Sequence, residues 1–236
     1  MTEKSSISFL QENYNDIKTR FDAAVKRSGR NEGDVILLAA TKTVCPEIIN
    51  SAIDLGITHI GENRVQEFLS KENEINRNVT RHFIGHLQTN KVKDIVGKVS
   101  MIESVHSLKL AKEIGKCSEK LGIVTDVLVE INIGGEESKS GFSPDEIGTA
   151  IFEMSQIKGI KIKGLMCIPP ICDTAEKARE YFKQMHKLFI DIGSEKRDNV
   201  SMEILSMGMS SDFEDAIECG ANLVRVGTAL FGKRIY

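Results

Sequence analysis

Apolar residues recur along this chain in two rhythms. Ile7, Leu10, Tyr14, Ile17, Phe21 and Ala24 fall at steps of three and four, with Glu12, Asp16, Lys18 and Lys26 on the other side. This is one apolar face of a long amphipathic helix. Ser28-Gly29-Arg30-Asn31 closes it, with Gly29 suited to a left-handed cap. From Val35 onward the rhythm changes to short apolar runs alternating with helical patterns. The runs read as strands over Val35–Thr41, Thr58–Ile60, His82–Ile84, Met101–Glu103, Asp126–Ile133, Ile160–Met166, Met202–Leu205 and Asn222–Val226.

The stretches between them carry helix signals. Pro46 opens one helix and Gly56 closes it, another runs from Arg64, and a short one begins near Asn90. Ser107 caps a fourth, and Ser143-Pro144-Asp145-Glu146 is a capping box with proline at the first helical position. Ala178, Phe182, Met185, Phe189 and Ile192 mark a long helix, Ser211-x-x-Glu214 caps the next with Gly220 closing it, and a last short one starts at Gly227-Thr228. Eight strand–helix units in 236 residues predict an α/β fold, a single (β/α)8 TIM barrel. No linker divides the chain, so residues 1–236 read as one domain with residues 1–30 as an accessory helix.

The net charge of −3 gives no electrostatic reason to expect nucleic acid or an anionic membrane as partner. No apolar run approaches the roughly 18–20 residues that span a bilayer, and Met1-Thr-Glu-Lys-Ser-Ser lacks the features of a signal peptide. The five cysteines are odd in number, scattered and without a Cys-x-x-Cys pair, which suits a reducing, cytoplasmic setting.

Active sites of such barrels lie at the carboxyl ends of the strands. There the chain places Lys42, Asn63, His86, Cys167, Ser206 and Gly227-Thr228. Lys42 alone is either a solvated strand end or an activated amine. Loops after the seventh and eighth strands commonly bind phosphate through backbone N–H groups and hydroxyls. Ser206 to Ser210 and Gly227-Thr228-Ala229 match that arrangement, and equally suit ordinary turns and caps. Arg225, inside the apolar run Leu223–Val226, must find acceptors, since an unpaired buried charge costs several kcal/mol. Its partner is either a structural carboxylate or a ligand at the barrel mouth.

Other signals lead nowhere. Gly56-x-x-x-x-Gly61 continues as Glu62-Asn63 and is no P-loop. His82-x-x-x-His86 crosses a strand end and lacks a third ligand, so no metal is expected. Ser138-Lys139-Ser140-Gly141 is a mobile anion-binding loop or a solvated surface. A lysine beside a phosphate cradle calls for a cofactor carrying an aldehyde and a phosphate, and pyridoxal 5′-phosphate (PLP) meets both requirements. Its aldehyde would condense with Lys42, whose amine loses basicity when desolvated beside cationic Arg225. The phosphate would rest on Ser206, Gly227 and Thr228.

Several motifs in order carry a family resemblance. They are Ala39-Ala40-Thr41-Lys42, Gly61-Glu62-Asn63-Arg64-Val65-Gln66-Glu67, His82-Phe83-Ile84-Gly85-His86-Leu87-Gln88-Thr89-Asn90-Lys91, Ser138–Gly141, Gly164-Leu165-Met166, Leu205–Ser210 and Val224–Gly232. On these the whole chain resembles the pyridoxal phosphate homeostasis family, PLP-binding proteins related to the N-terminal barrel of alanine racemase (fold-type III). The resemblance implies a monomeric barrel holding PLP as an internal aldimine on Lys42. It also implies phosphate contacts near Ser206, Gly227 and Thr228, Asn63 against the cofactor, and Arg225 near the pyridine nitrogen.

Two points favour storage and delivery of the cofactor, with apo-PLP-dependent enzymes as recipients, over catalysis. Arg225 stays protonated and cannot accept a proton from the ring nitrogen, which leaves a poor electron sink. Alanine racemase is expected to use the same device, so this point is not exclusive. A two-base racemase also needs an acid–base group on the opposite cofactor face, often tyrosine. Tyr14, Tyr181 and Tyr236 all lie away from strand ends, leaving Cys167 or His86 as substitutes. The alternative is a small PLP-dependent enzyme such as an amino-acid racemase.

Overall fold

A computed structural model describes residues 3–76 and 78–232. The chain begins with α1 (Glu3–Arg27) and then runs β1 (Ile36–Ala40), α2 (Pro46–Asp54), β2 (His59–Glu62), α3 (Val65–Lys71) and β3 (Thr80–Phe83). A 3-10 helix over Thr89–Asp94 leads to β4 (Met101–Val105), α4 (Leu108–Leu121), β5 (Thr125–Ile131), α5 (Ile147–Ser155) and β6 (Ile160–Cys167). The remainder is α6 (Ala175–Gly193), β7 (Val200–Ser206), α7 (Phe213–Glu218), β8 (Leu223–Val226) and α8 (Thr228–Phe231). The eight strands close into one barrel in sequence order, and β1 completes the ring against β8, with Leu38 opposite Arg225.

Strand alternation sorts side chains into two layers. Val127, Val129 and Ile131 face the helices and join the main core, whereas Leu128 packs inside the barrel with Met101 and Met166. Leu38, Ala40, Ile84 and Leu223 form a second interior group. The interior is not wholly apolar, because His82, Glu103, Ser206 and Arg225 are buried there too.

α1 covers the outside of the ring next to α2, α7 and α8. Leu10, Ile17, Phe21 and Ala24 are buried as the periodicity predicts. Ile7 is 43% exposed, so the buried face starts one turn later than expected. Arg20 lies 5.1 Å from the Phe213 ring centroid and pairs with Glu214 at 2.7 Å. Asn13 Nδ2 donates to the Leu230 carbonyl at 3.0 Å, fixing α1 to α8.

Two helix starts differ from expectation. The Ser143–Glu146 box forms a turn in which the Glu146 carboxylate accepts from the Ser143 backbone N–H and hydroxyl, and α5 begins only at Ile147. The residue before α7 is Asp212 rather than Ser211, because its carboxylate turns back to accept from Met209 N–H at 2.6 Å. β5 stops at Ile131, short of Ile133, because Phe142 folds back and exchanges backbone bonds with Glu130 and Asn132. Tyr236 lies outside the described residues.

Candidate cofactor site

The carboxyl ends of β1, β2, β3, β6, β7 and β8 enclose a cavity of about 700 Å³. Lys42, Asn63, Arg225, Gly227 and Thr228 all line it, so five of the six residues singled out from sequence meet at one place. Ser210, Ser211, Met209 and Ile168 add to the wall, and Phe9 and Asn13 reach it from α1.

Lys42 follows β1 directly and is half-buried. Asn63 follows β2 and is held against the next strand end by a close backbone approach. A Cβ on Gly85 would lie 2.0 Å from the Asn63 carbonyl oxygen, so only glycine fits there. The side-chain Oδ1 of Asn63 is buried without a hydrogen-bond partner among the described residues. An unsatisfied buried acceptor costs about 1–3 kcal/mol, and a donor on a ligand in this cavity would relieve it.

Ser206 does not join the wall. As the last residue of β7 it points into the barrel, fully buried, where its hydroxyl donates to Glu103 Oε2 at 2.6 Å and accepts from Arg225 Nη1 at 2.5 Å. Ser210 lines the cavity instead, and its hydroxyl accepts from Gly227 N–H at 3.1 Å and Ala229 N–H at 3.2 Å. That pair of bonds ties the β7 loop to the start of α8.

Arg225 finds buried acceptors within the protein and also borders the cavity. Nη2 donates to the Cys167 carbonyl at 2.8 Å, and Nη1 lies 4.0 Å from the Glu103 carboxylate, while the side chain also borders the cavity. Glu103 in turn accepts from His82 Nδ1 at 2.6 Å. Burial pushes this carboxyl up, but the bond and charge of His82, the charge of Arg225 and the Ser206 bond together hold it below the ordinary range. Glu103 is the important residue that sequence reasoning missed.

The two substitute acid–base candidates fare differently. Cys167 is fully buried and its thiol is pushed up to about 12, mainly by burial, so it carries no thiolate near neutrality. His86 borders an adjoining chamber of about 280 Å³ that shares Asn63, Ile84 and Ile168 with the main cavity. Its ring stacks on His106 with centroids 4.3 Å apart, and Nδ1 meets the Ser140 hydroxyl at 3.2 Å. His82, four residues earlier, faces the barrel interior instead. Lys139 of the Ser138–Gly141 loop pairs with Glu136 and donates to the Pro169 carbonyl at 3.2 Å. Tyr14 and Tyr181 pack against the core, away from the cavity. No helix among the described residues is long and apolar enough to cross a membrane.

Residues 10–234 match the alanine racemase N-terminal domain family. A pyridoxal phosphate homeostasis protein of Aquifex aeolicus is 45% identical over 218 residues, 92% of this chain and 95% of that protein. An unknown protein from Bifidobacterium adolescentis has a similar structure, with a TM-score of 0.92, 34% identity, and coverage of 98% of this chain and 97% of that one. PipY of Synechococcus elongatus, solved with PLP bound, superposes with a TM-score of 0.81 at 29% identity, covering 94% of this chain and 100% of that one.

Proposed function

This chain belongs to the pyridoxal phosphate homeostasis protein family, and from that premise we propose that it binds PLP in the 700 Å³ cavity, holds it on Lys42 and stores or delivers it. The observation that carries the reading is the unpartnered, buried Asn63 Oδ1 beside Lys42 and Arg225, an acceptor awaiting a ligand donor. The ring hydroxyl of PLP is such a donor. The Lys42 amine would condense with the aldehyde, forming a carbon–nitrogen double bond and releasing water. Gly227, Thr228 and Ser210 would receive the phosphate, and Arg225 would donate to the ring nitrogen. Ser206 supports Arg225 from below and does not touch the anion.

Bound PLP supplies an electron sink for amino-acid chemistry. The protein's own groups do little to exploit it. Arg225 can only donate, Cys167 is protonated, and the tyrosines with described surroundings are remote. Five free cysteines support a cytoplasmic setting. Recipients would be apo-forms of PLP-dependent enzymes.

Holo-protein should show a Schiff-base absorbance band, and borohydride should fix PLP on Lys42. Lys42→Ala forming the same band with unchanged affinity would refute the assignment. Transfer from holo-protein to an apo-enzyme, followed against release into buffer, tests delivery. The second reading, an amino-acid racemase, draws on His86 in the adjoining chamber. Exchange of the α-proton of L-amino acids at rates lost in His86→Gln would establish it over the carrier.

A further inference from the structure

The Gly61–Glu67 motif leaves two glutamates unexplained, and with Lys71 they converge behind the cavity wall. Lys71 is only 7% exposed, and its ammonium donates to Glu62 Oε1 at 3.0 Å, Glu67 Oε1 at 2.8 Å and the Thr41 carbonyl at 3.1 Å. The Thr41 hydroxyl donates to the same Glu62 oxygen at 2.7 Å. Glu67 Oε1 also accepts from the Thr43 backbone N–H. The two residues that flank Lys42 are therefore gripped from one buried ion cluster.

What the grip opposes is visible in the backbone. Thr43 has φ +64°, one of two non-glycine positive-φ residues described. A β-branched residue rarely adopts that region, and such a conformation persists only when its surroundings impose it. The reversal at Thr43 ends the strand direction and leaves the Lys42 side chain at the cavity.

We propose that Glu67 and Lys71, with Glu62 as the buried counter-ion of Lys71, are positioning residues that hold Thr43 in its left-handed turn and so present the Lys42 amine to the cavity. This rests on the reading of Lys42 as the PLP-bearing residue. The bland rival is that the cluster merely ties α3 to β1. Under that rival, losing Glu67 lowers stability but leaves Lys42 as reactive as before in the folded protein.

Lys71→Met strands two carboxylates and risks the fold, so the informative variants are Glu67→Ala, Glu67→Gln and Thr43→Gly. The glutamate side chain at position 67 is 18% exposed and tolerates removal better than a fully enclosed one. In full-length apo-protein, Glu67→Ala should speed amide hydrogen exchange at Thr43 about tenfold or more, leaving the interior of β1 unchanged. In PLP titrations it should weaken the Lys42 adduct about tenfold, the order of one charge-assisted hydrogen bond. Peptide mapping after borohydride reduction should show less label on Lys42. Glu67→Gln keeps an acceptor for Thr43 N–H and should recover part of the loss. Adding Thr43→Gly to Glu67→Ala should recover about threefold in affinity, because glycine takes this φ without strain.

Wild-type Thr43 exchange in Glu67→Ala overturns the clamp. Wild-type affinity at Lys42, or no recovery from Thr43→Gly, overturns the positioning role. If the wild-type protein itself takes no label on Lys42, the functional reading falls and the positioning role falls with it, whereas the exchange measurement still decides whether the clamp exists.

Discussion

Glu103→Gln is the sharpest perturbation of the barrel interior. The Glu103 side chain is 0% exposed and accepts from His82 Nδ1 at 2.6 Å and the Ser206 hydroxyl at 2.6 Å, with Arg225 4.0 Å away. Glutamine keeps one acceptor oxygen, but its amide group turns N–H donors toward a donor already in place. Two charge-assisted bonds of roughly 1.5–3 kcal/mol each are lost and about one neutral bond of ~1 kcal/mol remains. The net cost is about 3 kcal/mol, in line with stripping a buried charge of its partner. With a urea dependence of about 3 kcal/mol per molar for a chain of this size, the midpoint should fall by about 1 M.

The pH dependence follows from the same site. Glu103 in the folded protein titrates below its ordinary 4.5, since the bond and charge of His82, then Arg225 and Ser206, outweigh its burial. A depressed carboxyl contributes stability that is complete above the unfolded value and lost as pH falls through the folded one. The gap between wild type and Glu103→Gln should therefore be full at pH 7 and 5.5, and narrow below about 4.5. Urea unfolding at a series of pH values measures it. A gap under about 0.5 kcal/mol at pH 7, or one undiminished at pH 3.5, would refute the argument.

Three further outcomes are expected. Gly85→Ala forces a Cβ to within 2.0 Å of the Asn63 carbonyl, a backbone atom that no rotamer change can move. It should cost about 3 kcal/mol or more in thermal unfolding, and a smaller loss would mean that the loop shifts freely. Ser210→Ala removes the acceptor of Gly227 N–H and Ala229 N–H; it should weaken PLP binding about tenfold by equilibrium dialysis, and unchanged affinity would exclude Ser210 from the phosphate seat. His59 is pushed down to about 4, first by burial and then by the charge of His82. The unfolded chain binds that proton near 6.5, so stability drops as pH falls from 6.5 toward about 4, and His59→Gln should flatten that slope by up to one proton. An identical slope in the variant would rule His59 out.

The order of the eight strands was legible because each is a short apolar run bounded by turn residues, and barrel connectivity then fixes neighbours. Lys42, Asn63, Gly227 and Thr228 were legible as strand-end residues, since the fold brings those ends together. Ser206 went astray by parity. It is the last residue of β7 rather than the first of the loop, so its side chain turns inward to Arg225. Glu103 carried the same signal as Arg225, a charge within an apolar strand, and the desolvation argument applied to both would have paired them. Phe9 and Asn13 were beyond reach, because periodicity shows that α1 packs but not against what.

The row from His82 through Glu103 and Ser206 to Arg225 occupies space that barrels of this type usually fill with apolar layers. Paired charges there are no more stabilising than well-packed hydrocarbon of equal volume, so stability does not account for the row. Its clearest consequence concerns Arg225. The guanidinium is fixed by Ser206 and the Cys167 carbonyl, and the side chain also borders the cavity. A guanidinium held this way has a set direction. Under the proposed reading it would donate to the ring nitrogen of bound PLP without making the ring a strong electron sink. On the proposed carrier reading, the interior row would serve to fix Arg225 for holding the cofactor.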